Sequence, residues 1–259
     1  MMINNLVSIV MPAFNAEKTV KAAIESIINQ SYQNWELIIC DDCSSDRTID
    51  IVKEFKDSRI ITIDNIYKKG AAGARNSCID IAKGDFLAFL DSDDLWGSEK
   101  LITQLKFMIS NELDFSYGSY YIFTYSSLNV KGVFHPSDKI IKKDLLKSCD
   151  VGCLTVMLRV SSYPEFRFPY IAKEDYAAWI LCTQNGLVMK RYPGVHAYYR
   201  LSNYSLSSNK YKEILRQFRV VRDFGKLNLF KSIYCVSCYI VLGILKHKLR
   251  YKSCSGASK

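Results

Sequence analysis

The sequence predicts an α/β fold with a mainly parallel central sheet flanked by helices. Two observations carry the prediction. Short strand-like runs alternate with helical patterns through the first half of the chain, the signature of βαβ units. Those runs are near-continuously apolar rather than alternating, as strands covered on both faces must be.

Taken in order, Leu6 to Met11 reads as the first strand. Val20, Ala23, Ile24, Ile27 and Ile28 then recur at i, i+3, i+4, i+7 and i+8, the apolar stripe of a helix packed on a sheet. Trp35 to Cys40, Arg59 to Ile63 and Phe86 to Leu90 are the next strands, with helices over Thr48 to Phe55 and Ala71 to Ala82. Gly84 fits a C-terminal cap before the strand that follows.

After about Asp94 the segments become longer and richer in aromatics. A helix is expected over Glu99 to Ser110, strands within Phe115 to Tyr125, and a basic stretch around Lys139 to Lys147. Thr155 to Val160 reads as a strand, Glu174 to Gln184 as a helix, and Leu187 to Arg200 as one or two strands. No clear linker and no internal repeat is visible. The last forty or so residues carry an apolar stretch, Ile233 to Leu245, bracketed by Lys226, Lys231, Lys246, Lys248, Arg250 and Lys252. It is too short to span a bilayer, which needs about 20 apolar residues. Its basic flanks suit a helix lying on an anionic lipid surface; a helix packed on the domain, or on a second subunit as a homodimer, remains the alternative.

A chain of 259 residues that is 49% hydrophobic can bury a full core, which excludes disorder. Thirty-five Lys and Arg against 26 Asp and Glu give a net charge of +9, favouring polyanionic partners: nucleic acid, anionic lipid or phosphorylated small molecules. No nucleic-acid-binding motif is present, and the aromatics sit in apolar context. The nine cysteines are scattered through apolar segments, which fits a reducing cytoplasm better than a disulfide scaffold. Cys235 and Cys238 lack a second pair at zinc spacing and read as helix residues. The N-terminus opens directly into a strand without the pattern of a signal peptide.

In open α/β sheets, ligands gather beyond the carboxyl ends of the strands. The first strand ends in Pro12, Ala13, Phe14, Asn15; the second in Asp41, Asp42, Cys43, Ser44, Ser45, Asp46; the fourth in Asp91, Ser92, Asp93, Asp94. Three carboxylates within four residues repel one another unless a cation or several donors neutralise them, and such hard ligands suit Mg2+ or Mn2+. Because Mg2+-type ions take few protein carboxylates and complete their shell with substrate phosphates, a diphosphate ligand follows. A solvated acidic turn is the bland alternative. A calcium loop fails on spacing, and neither a Gly-x-Gly-x-x-Gly nor a Gly-Lys-Ser/Thr loop is present.

Together these stretches, VSIVMPAFNAEKTV, ELIICDDCSSDRT, GAAGARNSCIDIAKGDFLAFLDSDD and the later Glu174-Asp175 in AKEDYAAW, resemble the family 2 glycosyltransferases of bacterial surface-polysaccharide synthesis. The resemblance implies the GT-A fold, with a Rossmann-like sheet, over 1–208: a nucleotide-sugar-binding half at 1–94 and an acceptor-binding half at 95–208. Residues 209–259 would be a helical, membrane-associating extension. It implies further that Pro12, Ala13, Asn15 and Glu17 line the nucleotide pocket, that Asp42 with Asp41 beside it hydrogen-bonds the base, and that Arg75 approaches the donor. Asp91, Ser92 and Asp93 would form the family's Asp-x-Asp, with Asp93, aided by Asp91, ligating Mn2+ or Mg2+. Asp175 matches the catalytic base of inverting members; Glu174, Asp94 and Trp179 would face the acceptor. Seen in isolation, Glu174 and Asp175 read as an acidic helix start favoured by the helix dipole. Tyr199, Arg200, Ser205 and Ser207 resemble a segment that closes over the diphosphate, although Arg200 could equally be a structural partner.

The implied activity is inverting transfer of a hexose, galactose or glucose, from a UDP-sugar to a lipid-linked acceptor by a cytoplasmic enzyme attached peripherally to the inner face of the membrane. A phosphohydrolase of the Asp-x-Asp type is disfavoured, since its nucleophile follows the first strand and here that strand ends in Pro12 and Ala13. A non-catalytic module binding nucleotide sugars or polyanions is the third expectation.

Overall fold

The computed structural model describes residues 3–124, 130–201, 210–249 and 252–253. The expected first half appears as β1 (Val7–Ala13), α1 (Val20–Ile28), β2 (Trp35–Asp41), α2 (Thr48–Glu54), β3 (Ile60–Asp64), α3 (Ala71–Ile81) and β4 (Phe86–Phe89). The second half comprises β5 (Leu95–Trp96), α4 (Lys100–Ser110), β6 (Phe115–Phe123), β7 (Val130–Phe134), β8 (Lys139–Ile140), α5 (Lys142–Leu145), β9 (Met157–Arg159), α6 (Glu174–Gln184) and β10 (Met189–Arg200). The chain closes with α7 (Lys210–Arg219), α8 (Leu229–Leu249) and β11 (Lys252–Ser253).

Among the described residues, one sheet runs in the order β11–β7–β6–β9–β4–β1–β2–β3, with β10 set against β5, β6 and β8. β1 to β4 are mutually parallel. The direction reverses at β9, which runs antiparallel to both β4 and β6.

The apolar runs are apolar because the sheet is covered on both sides. Val7, Ile9 and Met11 of β1 join Ile24 and Ile27 of α1 and Leu101 and Leu105 of α4 in one buried cluster. Val10, Ile38 and Cys40 point the other way, into a cluster with Cys78 of α3 and Trp179 and Ile180 of α6. Each such aliphatic side chain contributes roughly 1.5–3 kcal/mol by leaving water. A polar contact inside ties β1 to its neighbours: the Ser8 hydroxyl donates to Glu36 Oε1 at 2.5 Å and accepts from the Gly84 amide at 2.8 Å.

That last contact corrects the reading of Gly84 as a helix cap. α3 ends at Ile81 on an extended Ala82, and Gly84 lies against β1 instead. A Cβ there would sit 2.6 Å from the Ser8 nitrogen and 2.8 Å from the Leu6 carbonyl oxygen, so close backbone approach, not left-handed conformation, requires the glycine. The strand expected over Thr155 to Val160 shrinks to Met157–Arg159 between two short 3-10 turns, Cys153–Thr155 and Val160–Ser162. The region expected over Leu187 to Arg200 forms a single strand, Met189–Arg200, whose register with β6 shifts between Arg191 and Ala197, around Gly194 at φ +84.

At the C-terminal end, α7 runs on through a π-helical turn, Val220–Phe224, and α8 follows. Val220, Val221, Cys235 and Val236 are buried in the same cluster as α6. The opposite face of α8 is open, with Phe230 81%, Tyr234 59% and Val241 56% exposed. No helix among the described residues is long and apolar enough to cross a membrane.

Candidate active site

Strand register brings the candidate residues together. Ala13 at the end of β1 pairs with Asp41 at the end of β2, which pairs with Asp64 of β3. On the other flank Val10 pairs with Phe89, so the acidic turn after β4 emerges on the same edge. The result is a cleft of about 610 Å³ lined by Pro12, Ala13, Phe14, Asn15, Asp42, Asp91, Ser92 and Asp93 of the expected strand ends, together with Lys69, Gly70, Ala71 and Arg75. Its position obeys the rule for ligand crevices in α/β sheets.

Asp42 reaches the cleft and accepts from Asn65 Nδ2 at 2.6 Å and from the Gly70 amide at 2.8 Å. Each of its oxygens keeps a lone pair for a ligand. Asp41 is turned away and caps its own loop, accepting from the Ser44 amide at 3.1 Å. Asn15 holds a left-handed conformation, φ +48, tolerated by its short amide, whose Oδ1 accepts from the Ser45 amide at 2.8 Å. Glu17 does not line the cleft; it ties β1's loop to the start of α2 through the Arg47 amide at 3.3 Å.

Arg75, on α3 and almost wholly buried, is the hub of the site. Its two terminal nitrogens meet Asp91 at 2.6 Å and Glu174 at 2.8 Å. Burial works against its charge, but the carboxylates of Asp91 and Glu174 outweigh it and keep the guanidinium firmly ionised. The guanidinium therefore joins the acidic turn after β4 to the start of α6, where Glu174 lies 99 residues beyond Arg75.

In the acidic turn the three aspartates diverge. Burial, then the charge of Asp91, raises Asp93. Asp94 is buried and raised more strongly, by burial and by both neighbours; its Oδ1 accepts from the Arg200 amide at 2.8 Å. Through that contact Asp94, expected to face the acceptor, anchors the turn to the end of β10. Arg200 Nε donates to the Asp93 carbonyl at 2.6 Å, so its contact with the motif runs through the backbone. Ser205 and Ser207 lie outside the described residues.

Asp175 sits in the first turn of α6, where its Oδ1 accepts from the Tyr176 amide at 2.7 Å. Burial, then the charge of Glu174, lifts its carboxyl from the ordinary 3.8 to about 6, the range in which a carboxylate serves as a base near neutral pH. Trp179, expected on the acceptor side, is fully buried instead. One helical turn beyond Asp175 it faces the core, lying parallel to Phe166 at 6.1 Å and edge-on to Phe115 at 5.3 Å.

Sequence reasoning missed Lys69, whose ammonium lies 4.5 Å above the Phe14 ring in the cleft wall, and Asn65, which orients Asp42. Both follow β3, and the same strand-end rule applied there would have found them. With Lys69 and the amino end of α3 at Gly70 and Ala71, the cleft offers donors suited to phosphate. Among the described residues no group of three or more His, Cys, Asp or Glu side chains could hold a metal by itself. Two hard carboxylates, Asp91 and Asp93, facing a phosphate-suited cleft do fit an ion whose shell is completed by substrate oxygens.

A parallel half-sheet with this crevice, continued by antiparallel strands past an acidic turn, has the GT-A architecture of sugar-nucleotide-dependent transferases. The fold is similar to that of Staphylococcus aureus TarS in complex with UDP-GlcNAc, at TM-score 0.68 and 17% identity over 90% of this chain and 71% of that one. It is similar also to the mannosyltransferase PcManGT of Pyrobaculum calidifontis in complex with GDP-Man and Mn2+, at TM-score 0.65 and 13% identity over 96% and 76%. The chain belongs to Glycosyl transferase family 2, whose profile matches residues 8–163. A relative of nearly equal extent is the UDP-Glc:alpha-D-GlcNAc-diphosphoundecaprenol beta-1,3-glucosyltransferase WfgD of Escherichia coli, 47% identical over 96% of this chain and 97% of its own. The phosphohydrolase reading is set aside accordingly.

Proposed function

We propose that this chain transfers glucose from UDP-glucose, with inversion, to a lipid-linked N-acetylglucosamine diphosphate during assembly of a bacterial surface polysaccharide. The observation that carries the proposal is the 47% identity, over almost the whole of both chains, to WfgD, whose name states that donor, acceptor and β-linkage. A β product from an α-linked nucleotide sugar is what a single displacement yields.

In this reading Asp42 accepts a hydrogen bond from the base, and Lys69 with the amino end of α3 faces the diphosphate. Arg75 holds Asp91 in place and neutralises Glu174, leaving Asp175 to take the proton of the acceptor hydroxyl. Asp93, aided by Asp91, would hold Mn2+ or Mg2+, which when bound stabilises charge on the departing diphosphate. The Mn2+ named with the PcManGT structure supports that assignment.

A panel of nucleotide sugars tests the proposal. UDP-glucose is expected to be turned over fastest, with activity lost in EDTA, and Asp93→Ala is expected to bind UDP no better with Mn2+ than without it. Absence of turnover with every UDP-sugar would overturn the reading.

The acceptor's lipid implies a membrane partner, and the open apolar face of α8 beside Lys226 and Lys231 suits an anionic surface at the inner face of the membrane. Phe230→Glu together with Ile233→Glu is expected to abolish co-sedimentation with phosphatidylglycerol vesicles. A wild-type chain that ignores such vesicles but dimerises through this face would replace the lipid with a second copy of the chain.

A further inference from the structure

Lys173, the residue immediately before Glu174 and Asp175, holds a left-handed conformation at φ +66 and ψ +47. That region is unfavourable for a lysine, and such a residue persists only where its surroundings over-determine it. Here the side chain supplies the reason. Its half-buried ammonium meets Glu213 at 3.2 Å on α7, donates to Gln217 Oε1 at 3.2 Å on the same helix, and donates to the Tyr239 hydroxyl at 3.2 Å on α8.

Gln217 completes the arrangement. Fully buried, it accepts from Lys173 with one end of its amide and donates from the other to the Tyr176 hydroxyl at 2.9 Å. The Tyr176 hydroxyl in turn donates to the Leu145 carbonyl. One amide from the C-terminal helices thus grips residues 173 and 176, the two that flank the Glu174-Asp175 dipeptide.

We propose that Lys173 is a positioning residue: through Glu213, Gln217 and Tyr239 it lets α7 and α8 set the orientation of Asp175 and Glu174. The inference rests on the reading of Asp175 as the base. The C-terminal helices belong to the reaction centre in this sense, although none of their described side chains lines the nucleotide cleft.

The test uses the full-length protein. Lys173→Gly keeps the left-handed backbone at ease while removing the ammonium, so lost ion pairing and relieved strain oppose each other in stability. It is expected to lower kcat at least tenfold, leave KM for the UDP-sugar within twofold, and hold the melting temperature within about 3 °C. Lys173→Arg should recover part of kcat. Gln217→Ala should also lower kcat, and the double variant should lose no more than the worse single one. Wild-type kcat in Lys173→Gly beside an inactive Asp175→Asn would overturn the positioning role alone. Full activity in Asp175→Asn would overturn the base reading and the inference with it.

Discussion

Asp175→Asn is expected to lose turnover by about a hundredfold to ten-thousandfold, the range of a general base, while melting at a higher temperature than the wild type. Both halves follow from one side chain. Burial and the neighbouring Glu174 charge hold Asp175 at about 6, so the wild-type rate should fall as pH drops through about 6. The same displacement sets the stability effect. With a folded value above the ordinary 3.8, the folded state binds the proton more tightly than the unfolded one, so stability is lost as pH rises from about 4 to 6. Removing the charge should restore roughly 1–2 kcal/mol at pH 7, allowing for partial exposure, which is a few degrees in melting temperature. That gain should vanish below about pH 4. Unchanged kcat in the variant would remove the mechanism, and a lower melting temperature at pH 7 would remove the electrostatic account.

Arg75→Met should have the largest effect on stability. The substitution leaves Asp91 and Glu174 facing each other's charge without the cation that now meets them at 2.6 and 2.8 Å. Breaking a buried pair by deleting one partner costs about 3–5 kcal/mol; because Asp91 and Glu174 are partly open to water, about 2–4 is expected here. That corresponds to a fall of order 10 °C in melting temperature, with UDP-sugar turnover lost as well. Arg75→Lys should recover little, since one ammonium cannot span two carboxylates as a guanidinium does. Calorimetric melts across pH check the cause: the deficit should shrink towards acid pH, where carboxylates in general lose their charge. A deficit independent of pH would mean that Arg75 acts by packing on Phe168, which its guanidinium overlies at 5.2 Å.

The parallel half of the fold was legible because β1, β2 and β4 are buried on both faces, so composition alone marks them. Val7 to Met11 and Trp35 to Cys40 need no knowledge of their neighbours. The antiparallel half was harder to read for the opposite reason. β9 keeps three residues of an apolar run because 3-10 turns take the rest, and β10 bends around Gly194 in a way no periodicity announces. In the site, strand-end residues were readable one at a time, but their partnerships were not. Nothing in the sequence ties Arg75 to Glu174 or Gln217 to Tyr176, because pairing across such separations is made by tertiary packing. Trp179 was misplaced through nearness in sequence to Asp175; four residues along a helix return to a neighbouring face, and this one is turned into the core.

The reversal of strand direction beside β4 has a practical bearing on redesign. In the proposed reading, the residues that grip the donor lie on elements up to Asp94, whose strands hydrogen-bond mainly among themselves, whereas the elements proposed to meet different acceptors hang from the far side of a seam between β4 and β9. Exchanging segments after that seam, with the Arg75–Glu174 and Asp94–Arg200 links preserved as fixed joints, is the natural way to retarget this scaffold without rebuilding its nucleotide grip.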